Sequence, residues 1–91
     1  MKKLVFGPPP ALTADERQIV EAWQIDGAAV ARGVNEWLSH LAEQAGRVGQ
    51  DFSLLRRKIE TTIRNAGERR ICAQAMIEEL RKLFREFKLL G

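Results

Sequence analysis

One cysteine, one histidine and no tyrosine stand among the 91 residues of this chain. Cys72 alone closes no disulfide within the chain, which suits a reducing compartment. His40 with one distant cysteine makes no recognisable metal cluster. Strand-favouring residues are sparse and do not alternate with polar ones, so no sheet is expected. The three prolines are consecutive, Pro8, Pro9 and Pro10, and leave the rest of the chain without that helix breaker. Apolar runs are short. Leu4, Val5 and Phe6 are followed at once by Gly7 and Pro8, too brief for a signal core. No stretch approaches the length that crosses a bilayer. The expectation is a cytoplasmic protein with no membrane contact, no metal and no cofactor.

Arrangements for catalysis are also missing. Asp15 and Glu16, and Glu78 and Glu79, are sequence neighbours, and neighbours on a helix diverge, so neither pair is an acid–base couple. Ser39 and Ser53 have no base arranged beside them. Gly46, Arg47, Val48 and Gly49 lack the lysine and the preceding strand of a phosphate loop. The Arg and Ile-Asp repeat that opens the short helical chorismate mutases is not reproduced; Gln24-Ile25-Asp26 is a fragment of it. The chain reads as a non-enzyme.

What is present is a seven-residue apolar rhythm. Val20, Trp23, Gly27, Val30, Val34, Trp37 and Leu41 succeed one another at alternating steps of three and four. The rhythm restarts at Phe52, Leu55, Ile59, Thr62, Ala66, Arg69, Ala73, Met76, Leu80, Leu83, Phe87 and Leu90. Such spacing lines one face of a helix. Thr13 and Glu16 fit a capping box and open the first segment. Gly46 suits a helix C-cap, and Asp51 or Ser53 suits the next N-cap. The fold class that follows is all-α: a long helical hairpin with a helix over about 14–45, a turn at 46–51 and a helix over about 52–90. Gly67 is a candidate break, which would give a three-helix bundle. Gly27 is a weak point, but the apolar phase is identical on both sides of it, which favours continuity. Residues 1–12 form an extended, proline-containing arm, and 13–91 a single helical domain.

The core expected from this register comprises Trp23, Val30, Val34, Trp37, Leu41, Leu55, Ile59, Met76, Leu80 and Leu83. Cys72, between Ile71 and Ala73, reads as a small buried packing residue. A third apolar position per heptad (Ala31, Leu38 and Ala45; Ile63, Ile77 and Phe84) widens each stripe beyond what a two-stranded coil needs. Each helix then needs two neighbours. A lone hairpin provides one, so two hairpins are expected to pair into a four-helix-type homodimer.

Two function classes follow. The first is a small protein–protein interaction module, an adaptor, chaperone-like subunit or inhibitor. Its size and Ala- and Arg-rich composition suggest a bacterial or mobile-element source. Its partner-binding candidates are Leu4, Val5 and Phe6 in the arm and Phe84, Phe87, Leu89 and Leu90 in an apolar tail. The second is a dimeric nucleic-acid-binding regulator. Residues 1–46 carry 4 basic and 6 acidic side chains, while 47–91 carry 11 basic and 6 acidic. Arg57, Arg64 and Arg70 are its candidate phosphate contacts, with Arg85 on the same face three heptads beyond Arg64. Interspersed glutamates weigh against the phosphate track, and no aromatic is interleaved with the basic residues to support single-strand stacking.

Overall fold

The computed structural model describes residues 12–90, and all of its regular structure there is helical. Four helices follow in order: α1 Ala14–Trp23, α2 Gly27–Gln44, α3 Ser53–Arg69 and α4 Ala73–Glu86. The all-α class stands. The continuous hairpin does not, and neither does the three-helix version. The arm with Leu4, Val5 and Phe6 lies outside the described residues.

The start of α1 is the expected capping box. Glu16 N–H donates to Thr13 Oγ1 at 3.1 Å, and Thr13 N–H donates to Glu16 Oε1 at 2.9 Å. The helix ends after ten residues. Gln24, Ile25 and Asp26 form a joint, and Asp26 takes up extended backbone as the N-cap of α2, its Oδ1 accepting from Ala29 N–H at 2.7 Å. Three joint residues carry the apolar phase unchanged from Trp23 to Gly27, so spacing alone gave no sign of a chain reversal. Gly33 then lets α1 lie close against α2. A methyl group built there would stand 3.2 Å from Ile19 Cγ1.

The turn after α2 forms where expected. Gly46 sits at φ +70°, with Gly46 N–H on the Glu43 carbonyl and Arg47 N–H on the Ala42 carbonyl, the paired bonds of a Schellman cap. The N-cap of α3 is Phe52, with no side-chain cap; Asp51 instead accepts from Ser53 N–H at 2.9 Å. Helix α3 runs through Gly67 and stops at Arg70, which takes the left-handed conformation at φ 55° without being glycine. Arg70 N–H reaches the Gly67 carbonyl and Ile71 N–H reaches the Ala66 carbonyl, a second Schellman cap. Arg69, an odd seam residue for one long helix, is a solvent-facing last-turn residue paired with Glu79 at 3.5 Å. Cys72 is exposed as the N-cap of α4, which corrects its reading as a packing residue.

The helices pack as a closed ring: α1 on α2, α2 on α3, α3 on α4, and α4 on α1. Each helix therefore has the two neighbours its wide stripe demands, and both are supplied by one chain. The need that pointed to a second copy is met by folding each long segment in half. Ile19, Val30, Val34, Trp37, Leu41, Leu55, Ile59, Met76 and Leu80 are buried, while Trp23 and Leu83 are partly buried against them. Across the diagonal, Trp37 of α2 meets Phe84 of α4 edge to face, with ring centroids 4.7 Å apart.

Candidate interaction surface

The two joints lie at the same end of the ring. Together they wall an open groove of about 690 Å³. Trp23, the last residue of α1, joins Ile63 and Ile71 as its apolar lining. Gly27 and Gly67 also line it, and a Cβ added at either meets nothing within 4 Å. The polar lining has both signs: Arg64 and Arg70 with Asp26 and Glu68. Ile25, at the α1–α2 joint, is 73% exposed, a large apolar side chain left in water beside Asp26. Local chemistry builds this end. The Asp26 cap forces the first reversal, and the left-handed Arg70 forces the second.

Two of the three candidate arginines thus come together with an indole. Arg57 is exposed one heptad before Arg64 on α3 but does not line the groove. Arg85 lies on α4, beyond the second joint, so the single basic track through Arg57, Arg64 and Arg85 is broken. Among the described residues, Arg57, Arg64 and Arg70 have no carboxylate within 4.0 Å. Lys58 and Arg81 are committed elsewhere, to Glu86 and to Glu16 and Glu78.

The C-terminal tail is not the open apolar cluster that the sequence suggests. Phe84 is fully buried in the core, in T-shaped contact with Trp37. Lys88 adopts φ 62° and turns the chain so that Leu89 N–H donates to the Phe84 carbonyl at 2.7 Å, and Leu89 is buried. Arg47 Nη1 donates to the Phe87 carbonyl at 3.1 Å, and Lys58 Nζ stands 5.7 Å over the Phe87 ring. Phe87 and Leu90 remain partly exposed. A smaller hollow of about 270 Å³ lies under the α2–α3 loop, lined by Leu38, Phe52 and Arg56 among others.

One buried polar cluster had no sequence signal for its far partner. Glu16, only 2% exposed, receives Arg81 Nε at 2.6 Å and Nη2 at 2.7 Å. Burial pushes the Glu16 carboxyl up. The Arg81 hydrogen bonds, the Thr13 backbone N–H and the Arg81 charge outweigh it, and the carboxyl lies below its ordinary value. His40, exposed, lies 4.0 Å from Asp15 across the α1–α2 contact. Among the described residues no group of three His, Cys, Asp or Glu side chains is placed to hold a metal, and no helix is long and apolar enough to cross a membrane. No protein-family model, no curated protein and no solved structure matches this chain.

Proposed function

We propose that this chain is a non-catalytic protein-binding module and that the groove between its two joints holds the partner. The observation that carries the reading is the Trp23 groove itself: an apolar lining with charges of both signs and no buried reactive group. An indole beside arginine is a common anchor of protein interfaces. The occupant that fits is a short amphipathic segment of another protein, placing an apolar side chain against Trp23 and acidic groups toward Arg64 and Arg70. Such a module serves as an adaptor, chaperone-like subunit or inhibitor. Gly67→Leu fills the groove without entering the core. A partner retained by the wild-type chain and released by Gly67→Leu and by Trp23→Ala supports this site; equal retention by both variants places the interaction elsewhere.

A second reading, a nucleic-acid-binding regulator, draws on the exposed Arg57, Arg64 and Arg70, which pair with no carboxylate among the described residues. Asp26 and Glu68 beside the latter two weaken the local field for phosphate. Binding of DNA or RNA that falls steeply with added salt and drops in Arg57→Glu favours this reading; no retention at low salt removes it.

A further inference from the structure

Both joints interrupt helices without interrupting the register of their apolar residues. Across Gln24–Asp26 the steps from Val20 to Val34 stay at three and four, and across Arg70–Cys72 so do the steps from Ala66 to Leu80. A turn that arises without selection on phase has no reason to keep it twice. The joints are short and lightly held. Gln24, Ile25 and Asp26 are exposed, as are Arg70 and Cys72. Arg70 also sits in a left-handed conformation that a side chain with a Cβ disfavours.

From this we infer that the chain forms a reciprocal dimer with a second copy of itself, in which both joints straighten. Residues 14–44 become one helix and residues 53–86 another, each keeping the three-and-four spacing of its apolar stripe, with Arg69 the one charged residue on the second. The ring of contacts permits this without loss. The α2–α3 contact and the α1–α4 contact, with its Glu16–Arg81 pair, stay within one chain. The α1–α2 and α3–α4 contacts are remade with the partner, since each far half lies antiparallel on the other chain's near half. All four interfaces of the monomer recur, only the joints change, and short strained hinges favour such exchange. The register across the joints is the same whether or not the groove binds a partner, although a bound partner would hold the chain in its folded-back form.

Two joint variants move the equilibrium in opposite directions. Asp26→Ala removes the cap that ends the continuous helix, and two chains lose it per dimer. The dimer association constant should rise on the order of tenfold or more. Arg70→Gly relieves the left-handed residue in the closed form, again twice per dimer, and should lower that constant on the order of tenfold or more. Sedimentation equilibrium reads both. Exchange itself is read in chains carrying Asp15→Cys, His40→Cys and Cys72→Ser, treated with a short bifunctional maleimide. In the closed form positions 15 and 40 face each other within one chain. In the isolated dimer fraction they should link two chains, giving a covalent dimer on a denaturing gel. Constants unmoved by both variants, a dimer whose links stay within single chains, or no dimer from Asp26→Ala at millimolar concentration would each overturn the inference.

Discussion

Glu16 and Arg81, 65 positions apart, meet in a two-pronged ion pair at 2.6 and 2.7 Å that fastens α1 to α4. The same Glu16 carboxylate completes the capping box with Thr13, so one buried side chain both starts a helix and docks it. Removing the arginine alone strands a buried negative charge. Arg81→Met should destabilise the fold by about 3 kcal/mol, read from urea unfolding monitored by circular dichroism. The double variant Glu16→Gln with Arg81→Met should recover part of that loss.

Acid should weaken the same contact. The Glu16 carboxyl lies below its ordinary value near 4.5, so the unfolded chain takes up a proton before the folded one does. Its contribution is complete above that ordinary value and is lost as pH falls through the lower, folded value. The urea midpoint of the wild-type chain should drop on acidification through this window, and the drop should be smaller in Glu16→Gln. Identical acid profiles for the two would show that Glu16 carries no such linkage.

Phe84 belongs to the core and not to a docking tail. Phe84→Ala should cost about 3–5 kcal/mol, because it empties the position against Trp37. Ending the chain after Lys82 removes Phe84 and Leu89 together, so the shortened chain should lose cooperative unfolding and red-shift its tryptophan emission. A truncated chain with native emission and a sharp transition contradicts this placement.

Two glycines in helices should respond oppositely to the same change. Gly67 faces open space, and Gly67→Ala should stabilise by about 0.5–1 kcal/mol through the unfolded state. At Gly33 the new methyl meets the fully buried Ile19 at 3.2 Å, closer than an ordinary carbon–carbon contact. Gly33→Ala should therefore destabilise by about 1 kcal/mol. Thermal melts of the two variants separate the cases.

Cys72 caps α4 in the same extended geometry that Thr13 adopts before α1, yet makes no side-chain bond to the helix. A hydroxyl at that place can accept a free amide. Cys72→Ser should raise stability by about 0.5–1 kcal/mol, seen as a higher melting temperature.

The helical class, the Thr13 box and the Gly46 turn were legible because each rests on neighbours a few residues apart. Val30, Val34, Trp37 and Leu55 were legible as core because burial follows helical spacing on either side of a joint. The joints themselves were hidden by that spacing. Asp26 is a good N-cap residue, and weighing it above the unbroken rhythm would have found the first reversal. The second had no comparable mark, since the reversing residue is Arg70 while Gly67, three places earlier, stays helical. Phe84 lies on the buried face of α4 against Trp37, and Leu89 is buried because Lys88, another non-glycine at positive φ, folds the tail inward. The groove joins Trp23 to Ile71, residues far apart in sequence that no local pattern relates.

The walls of that groove belong to both bends at once, Trp23 and Asp26 from one and Arg70 and Ile71 from the other. Straightening either bend dismantles the cleft. A guest held there would act as a clasp on the folded-back, solitary form, so the inferred self-association and the proposed guest capture would be rival outcomes drawing on one pool of molecules.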